Sequence, residues 1–187
     1  MLTDYKTFTG YTCEMTVTRP LTGEPLPLDL LNTTWMSGGA PFDMLETPGA
    51  LQDWLAEHDF PLDAPESEVK PHLIEAREAI RAVVAKTEGA EAKLNAVLAH
   101  GVRRPRLLGG VPTLTDEVDD PARLPGWRAA VALLDLLESR PDRIRKCANP
   151  NCILWYLDTT RNGSRRWHSM ETCGNRAKAK RFQDRHA

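Results

Sequence analysis

The clearest periodic pattern of apolar positions lies in the middle of the chain, over residues 65–87. Apolar residues recur there in steps of four, three, four and three positions, at Val69, Leu73, Ala76, Ile80 and Val83. Charged residues fill many of the positions between them. A repeat near 3.6 residues puts these apolar side chains on one face of a helix. The pattern therefore predicts one long amphipathic helix, which Gly89 ends.

Three shorter segments, residues 47–58, 90–100 and 126–139, predict further helices. In the first of them, Thr47 is a candidate N-cap, because its hydroxyl can accept a hydrogen bond from a free backbone amide. Its apolar face consists of Leu51, Trp54 and Leu55. The apolar stripe of the last helix consists of Trp127, Val131, Leu134 and Leu137, and it is widened by Leu133 and Leu136. A stripe of this width predicts a well-buried helix.

Strands are predicted in two places. Residues 11–18 alternate roughly between β-branched or aromatic residues and others, which is typical of a strand. Residues 106–114 are short, apolar and interrupted by two glycines, which predicts a β-hairpin. Residues 115–125 are acidic and contain proline, so we expect an exposed loop there. These elements together predict a mainly α fold with minor β.

Composition and charge narrow the class of protein. The chain has 187 residues, of which 41% are hydrophobic, and this is enough for a buried core. The sequence contains neither an apolar run long enough to span a membrane nor a secretion signal at its start, so we expect a cytoplasmic protein. No phosphate-binding, nucleophile-elbow or metalloprotease motif occurs, and we therefore expect no enzyme.

The net charge of −2 is the sum of two opposite parts. Residues 140–187 hold 12 Lys and Arg against 4 Asp and Glu, a net charge of +8, and the preceding residues carry −10. A basic segment of this kind attracts polyanions, because neutralising phosphates releases condensed counterions. The competing interpretation is a solvated basic helix, or one that docks on the acidic part of its own chain.

The basic segment also contains four candidate metal ligands, Cys147, Cys152, His168 and Cys173. They form two pairs, each with four residues between its members, and fifteen residues separate the pairs. Tetrahedral Zn²⁺ takes thiolate and imidazole ligands, and closely spaced pairs on turns can both reach one ion. Since four protein ligands leave no coordination position for water, we expect a structural zinc ion.

Two other interpretations of the cysteines stay open at this point. They could form a disulfide, or Cys147 and Cys152 could be small buried side chains while His168 lies on the surface. The ligand spacing favours zinc. The absence of a secretion signal argues in the same direction, because structural disulfides belong to oxidising compartments.

The segment resembles a known family. Cys173-Gly174-Asn175-Arg176, preceded by Arg165-Arg166-Trp167 and Ser169-Met170, is similar to the CGNR zinc finger of bacterial transcription regulators. The resemblance covers about forty consecutive residues. The family usually has cysteine where this chain has His168, and imidazole is also a competent zinc ligand. Asp29-Leu30-Leu31-Asn32-Thr33, Asp43-x-Leu45 and the run Pro48-x-x-Leu51-x-x-Trp54-Leu55 occur in the N-terminal part. On these residues, and more loosely, residues 11–139 resemble the ABATE domain that accompanies such fingers.

The resemblance implies a division into two domains. Residues 1–140 would form a mainly helical ABATE-like domain with a sensory role, and residues 141–187 a CGNR-type zinc finger with a ββα-like fold. It implies a DNA-binding transcription regulator with double-stranded DNA as its partner and no membrane contact. A small-molecule effector and a homodimer are further expectations, since regulators commonly pair to read two half-sites.

Several basic or polar residues of the finger are candidates for contact with DNA. They are Arg161, Arg165, Arg166, Asn175, Arg176, Lys178, Lys180 and Arg181. Arginine binds phosphate in a bidentate manner, and the last five residues belong to a segment with helix-forming composition that could enter a major groove. Asn175 and Arg176 could equally brace the loop around the metal. The alternative function is a zinc-stabilised module that binds protein or RNA.

Asn32 and Trp35 are the candidate ligand-binding residues of the N-terminal part. They precede the Gly38-Gly39 break and could line a pocket for an effector. Core packing for Trp35 and a capping role for Asn32 are the competing interpretations, since both residue types commonly serve in these ways.

Overall fold

The computed structural model describes residues 18–60 and 64–186. The strand predicted over residues 11–18 therefore lies outside the described residues, apart from Thr18. Six helices are described in this part of the chain: α1 Leu26–Leu31, α2 Ala50–Glu57, α3 Glu66–Val84, α4 Ala90–Leu98, α5 Leu124–Ser139 and α6 Asn175–His186. The described strands are β1 Thr34–Ser37, β2 Ala40–Asp43, β3 Gly101–Leu108, β4 Val111–Val118, β5 Ile144–Lys146 and β6 Trp155–Leu157. The strands form three antiparallel hairpins, and the predicted class, mainly α with minor β, is confirmed.

Helix α3 is the centre of the core and packs against α1, α4 and α5. Its predicted apolar face is buried at Val69, Leu73, Ala76 and Ile80. Gly126 lets α5 approach α3 closely, because a Cβ at this position would lie 2.9 Å from the Ala76 Cβ and 3.1 Å from the His72 carbonyl oxygen. A larger residue there would force the two helices apart.

Two local predictions about the helices are corrected. Helix α2 starts after Gly49, which adopts a left-handed conformation with φ of 80°, and no side chain caps it, so Thr47 is not the N-cap. In α5, Leu133 is fully buried while Leu134 is 43% exposed, so the stripe through Leu134 was wrong. Apolar residues surround much of this helix, and the 3.6-residue period alone does not decide which face the core covers.

The hairpin predicted over residues 106–114 exists and is longer than expected. Strands β3 and β4 pair over eight residues each, from Gly101 opposite Val118 to Leu108 opposite Val111. Gly109 and Gly110 connect them with φ of 57° and 83°, as a tight two-residue hairpin turn requires. We call this hairpin the arm.

The acidic loop expected over residues 115–125 is wrong for its first four residues, which belong to β4. Cross-strand ion pairs explain the difference. Asp116 accepts hydrogen bonds from Arg103 at 2.7 Å and from Arg128 of α5 at 2.9 Å. Glu117 accepts from Arg104 and Arg106 on the other face of the arm. Opposite charges facing each other across a hairpin stabilise strand pairing, which composition alone does not reveal.

A buried ion pair fixes the β1–β2 hairpin to α3. Arg77, almost fully buried, donates two parallel hydrogen bonds to Asp43 at 2.8 and 2.6 Å and a third to the Thr33 hydroxyl at 2.8 Å. Burial alone would raise the pKa of Asp43, but the hydrogen bonds and charge of Arg77 outweigh it and hold the pKa below its usual range. The hairpin that carries Trp35 is therefore held in one position.

None of the helices in the described ranges is long and apolar enough to cross a membrane.

Candidate metal centre

The first two candidate ligands lie in the loop of the β5–β6 hairpin. The strands pair from Ile144 opposite Leu157 to Lys146 opposite Trp155, and Cys147 and Cys152 follow in the loop between them. The loop is held by a bond from the Cys147 amide to the Leu154 carbonyl at 2.9 Å. The Asn149 side chain accepts from the Asn151 amide at 3.0 Å, an Asx turn that reverses the chain between the cysteines.

The other two ligands belong to a short π-helical turn, Met170–Gly174, and the residues just before it. His168 precedes the turn, Cys173 lies within it, and the turn leads directly into α6. The Ser169 hydroxyl accepts from the Thr172 amide at 3.2 Å, so Ser169 is the N-cap of this turn. Gly174 packs against the Met170 side chain, whose sulfur would lie 2.8 Å from a Cβ added at this glycine. The turn places Cys173 opposite His168, which precedes it by five residues.

The four predicted ligands are brought together. The Sγ atoms of Cys147, Cys152 and Cys173 and a ring nitrogen of His168 all lie within 4.8 Å of one another, and all four residues are buried. The three cysteines form no disulfide, and no further cluster of three or more such ligands occurs among the described residues. In a tetrahedral zinc site, ligand atoms at about 2.0–2.3 Å from the ion are roughly 3.3–3.8 Å apart. The distance from Cys152 Sγ to His168 Nδ1 is 3.5 Å, so the arrangement fits zinc.

The electrostatics of the cluster suit a cation. Hydrogen bonds from Cys152 and His168 lower the pKa of Cys147 to about 3. Sharing that proton raises the pKa of Cys152, and burial raises the pKa of Cys173. Three sulfurs and one imidazole nitrogen, with no carboxylate among them, are a set of donors that matches a soft metal ion.

Groups around the four ligands orient them. The Asn149 side-chain amide donates to Cys173 Sγ at 3.2 Å. The Thr172 hydroxyl lies 3.4 Å from His168 Nε2, while Nδ1 faces Cys152. With its proton on Nε2, beside the Thr172 hydroxyl, His168 would offer the lone pair of Nδ1 to a metal.

Arg165 braces the loop before His168 instead of facing solvent. Its guanidinium group donates to the carbonyls of Trp167 at 3.1 Å and His168 at 2.5 Å. It also lies over the Tyr156 ring, 4.3 Å from the centroid, and the Tyr156 hydroxyl donates to the Arg165 carbonyl. The geometry therefore assigns Arg165 to holding the loop.

The other candidates for DNA contact differ in their surroundings. Exposed side chains are those of Arg161, Arg166, Asn175, Arg176 and Lys178. Arg166 lies over the Trp167 ring at 5.2 Å, and the Asn175 side chain donates to the Glu171 carbonyl at 3.1 Å, which is a bracing role. Lys180 and Arg181 belong to α6, and their side chains lie outside the described part. Sequence reasoning missed Arg145 and Lys146, both exposed on β5, because it looked only at the turn and the helix.

The structure places Asn32 at the junction with the C-terminal region and not in a pocket. Its side-chain amide donates to the Trp155 carbonyl at 2.8 Å, and its side-chain oxygen accepts from the Trp155 amide at 3.0 Å. Nearby, the Glu24 carboxylate accepts from the Leu157 amide at 2.8 Å and lies 3.8 Å from Arg165. Burial raises the pKa of Glu24. Strand β6 is thus fastened to the segment around α1 at two points.

Trp35 does border a cavity. It is nearly buried, with its ring 4.8 Å from that of Phe42. The cavity has a volume of about 140 Å³ and lies between the β1–β2 hairpin and the metal centre. Its walls include Pro20, Trp35, Met36, His168, Thr172 and Arg176.

Comparisons with known proteins agree with this geometry. Residues 24–140, more than half of the chain, match the ABATE family, described as a putative stress-induced transcription regulator. Residues 143–186 match the CGNR zinc finger. No curated protein matches the chain. With its Cys3His cluster in the segment that matches the finger, the chain belongs to the ABATE family and carries a C-terminal CGNR zinc finger.

Proposed function

We propose that this protein is a DNA-binding transcription regulator that acts by binding and not by catalysis. The observation that carries the proposal is the joining of two features in one small unit. A buried Cys3His cluster leads through one π-helical turn into α6, and exposed basic side chains surround that junction. These side chains are Arg161, Arg166, Arg176 and Lys178, with Arg145 and Lys146 on β5.

Cys147, Cys152, His168 and Cys173 would hold the zinc ion, which supplies a cross-link between the β5–β6 loop and the start of α6. A segment of this size cannot build a large apolar core, so the metal would contribute much of its folding free energy. The role of the four residues is to hold α6 at a fixed angle to the hairpin. Arg165 supports the same geometry through the loop carbonyls.

Duplex DNA is the preferred polyanion for two reasons. Recognition of single strands relies on exposed aromatic side chains that stack on bases, and Trp155 and Tyr156 are buried in the finger. A helix with basic residues in its first turns fits a major groove. Arg176 and Lys178 would lie nearest the bases, and Arg161 and Arg166 would contact the phosphate backbone.

The ABATE domain would regulate the finger. We propose the cavity beside Trp35 as the effector site, because its walls come from both the β1–β2 hairpin and the metal centre. A ligand that contacts both the hairpin and the metal centre would favour one arrangement of these two parts over others. It would in this way alter the affinity of the finger for DNA. We further propose that the protein works as a homodimer, so that two fingers read paired half-sites.

A titration of fluorescent duplex DNA with the zinc-loaded full chain tests the proposal. We expect binding that weakens steeply between about 50 and 200 mM salt, with a slope that reports the number of phosphate contacts. Arg161→Ala combined with Arg166→Ala should weaken binding about tenfold or more and reduce the slope by roughly two, because both side chains would contact phosphates. Lys93→Ala, an exposed lysine of α4, is the matched control and should change neither. Absence of binding at low salt with zinc loaded would reject the proposal.

Selection of bound sequences from a random DNA pool then tests specificity. The selection is run with the wild-type chain and with an Arg176→Ala, Lys178→Ala variant at the same salt concentration. A shared motif in the first pool, lost in the second, supports sequence reading by α6. Equal recovery of all sequences in both pools would limit the finger to backbone binding.

A further inference from the structure

The cavity beside Trp35 has two unlike kinds of wall. Apolar side chains form one part of it, those of Pro20, Trp35, Met36 and Leu154. Residues of the finger line the rest, and Arg176 is the only Lys or Arg among the described residues of the wall, which include no Asp or Glu. The cavity therefore suits a molecule that is apolar over most of its surface and negatively charged at one end.

The size of the cavity limits that molecule to about one ring. Its volume is about 140 Å³, and an apolar cavity of about 150 Å³ holds one benzene molecule. The Trp35 ring is fixed in place, because it packs 4.8 Å from the Phe42 ring and because Arg77 and Asp43 hold its hairpin. An aromatic ring in the cavity would therefore meet a preformed aromatic wall, at little cost in conformational entropy.

Arg176 supplies the charge that selects a carboxylate. It is the second residue of α6, its side chain is exposed, and no carboxylate of the described residues forms an ion pair with it. Arg165 of the same finger is by contrast engaged with Glu24 and with loop carbonyls. A guanidinium group binds a carboxylate through two parallel hydrogen bonds. The same positive charge disfavours a cationic ligand.

The metal centre sets the orientation of such a ligand. Cys152, His168 and Cys173 also border the cavity. Three thiolates and a neutral imidazole around Zn²⁺ would leave roughly one negative charge on the centre. A carboxylate would therefore turn away from the sulfurs and toward Arg176, and its ring would lie against Trp35.

We infer that the effector is a small aromatic carboxylate of the benzoate class, bound between Trp35 and Arg176, and that it releases the protein from DNA. The inference rests on the proposed function, in which Arg176 lies at the duplex. A guanidinium group that holds a carboxylate is not available to a base edge or a phosphate. The ligand and DNA thus compete for one side chain, and each lowers the affinity for the other by the same factor.

A nuclear magnetic resonance titration of the zinc-loaded full chain with benzoate, in the absence of DNA, tests the ligand class. We expect a dissociation constant of about 1 mM or below, which is reasonable for so small a ligand, with shifts at the Trp35 indole and around Arg176. Benzamide, a neutral molecule of the same shape, should bind about tenfold more weakly or worse. Arg176→Ala should weaken benzoate binding by a similar factor and leave benzamide binding unchanged.

Lys178→Ala is the matched control for this variant. Lys178 lies two residues farther along the same helix and does not border the cavity, so benzoate should bind the control as it binds the wild type. Zinc content and far-ultraviolet circular dichroism equal to those of the wild type show that each variant is folded. A folded Arg176→Ala variant with wild-type affinity for benzoate would overturn the inference, as would a zinc-loaded wild type that does not bind benzoate.

The same titrations with fluorescent duplex DNA test the direction of regulation. Sodium benzoate is compared with sodium chloride at equal ionic strength, because salt alone weakens DNA binding. Benzoate should lower the DNA affinity of the wild type and of Lys178→Ala, and leave that of Arg176→Ala unchanged. An unchanged or higher DNA affinity of the wild type would overturn the release from DNA. Benzoate binding through Arg176 in a protein that binds no DNA would reject the proposed function and leave the ligand class standing.

Discussion

The side chain of Asn32 and the backbone of Trp155 exchange two hydrogen bonds across 123 residues of sequence, one donated by the amide of Asn32 and one by the amide of Trp155. Both residues are buried. An asparagine side chain matches a peptide group in its donor and acceptor, so Asn32 acts as a one-residue strand partner for β6. The finger is thereby attached to the ABATE domain through its own backbone.

Replacing Asn32 should loosen this attachment. Asn32→Ala leaves the amide and the carbonyl of Trp155 buried without partners, and we expect a loss of roughly 2–4 kcal/mol in the free energy of unfolding. Urea denaturation gives this value, and hydrogen exchange at the Trp155 amide reports the local opening. Asn95→Ala, at an exposed position of α4, is the matched control. Equal stability of the two variants would contradict the role given to Asn32.

Removal of one metal ligand should unfold the finger selectively. We expect elemental analysis to find stoichiometric zinc in the wild type and none in Cys147→Ser or His168→Ala. These two variants should also lose the nuclear magnetic resonance signals of folded α6, while signals of the ABATE domain persist. His168→Cys should retain zinc, because a fourth thiolate is an equally suitable ligand. Retention of zinc by His168→Ala would exclude His168 from the site.

Substitutions of Arg165 and Arg166 should have different effects, the first on the stability of the finger and the second on DNA binding. Arg165→Ala removes the donors to the carbonyls of Trp167 and His168, so we expect weaker zinc retention against a competing chelator and a lower melting temperature. Arg166→Ala removes an exposed charge, and we expect unchanged stability with weaker DNA binding. If Arg165→Ala weakened DNA binding at unchanged stability while Arg166→Ala lowered stability, Arg165 would face the DNA.

The ion pair of Asp43 and Arg77 should make stability depend on pH in the acid range. The pKa of Asp43 is lower in the folded chain than in the unfolded one, so its contribution is complete above the unfolded value near 4 and disappears as the pH falls through the folded value. We expect Asp43→Asn to be less stable than the wild type at pH 7 and the difference to close toward pH 2. Urea denaturation at several pH values, with both proteins free of metal, measures this difference. A constant gap at every pH would contradict the ionic contribution.

Gly126 should be intolerant of alanine although alanine favours helices. The added methyl group would lie 2.9 Å from the Ala76 Cβ, and the cost of separating α3 and α5 exceeds the gain in helix propensity. We expect Gly126→Ala to lose roughly 1–2 kcal/mol of unfolding free energy. Adding Ala76→Gly to this variant should restore part of the loss, because it removes the methyl group that the new Cβ would meet. If the double variant lost only the sum of the two single losses in unfolding free energy, positions 76 and 126 would not be in direct contact.

Local patterns predicted the parts of this structure that depend on local physics. The period of apolar residues found α3, and ligand spacing found the four residues of the cluster, because both are set by a few consecutive turns of chain. The extra length of the arm was missed, since Asp116 and Glu117 favour a loop until Arg103, Arg104 and Arg106 lie opposite them. Asn32 was not recognisable as a partner of Trp155, because nothing near it in sequence marks a contact 123 residues away.

The two-point attachment of β6 has a consequence for the layout of a DNA target. Asn32 and Glu24 hold the finger against α1. In the proposed homodimer, the distance and rotation between the two α6 helices would then follow from rigid domains and not from a tether. Such a dimer would bind well only when its two half-sites have the correct rotation relative to each other around the duplex. Inserting about five base pairs between the half-sites would turn one of them to the far side of the DNA. Inserting a full helical turn would return both half-sites to the same side of the DNA but leave them farther apart than before.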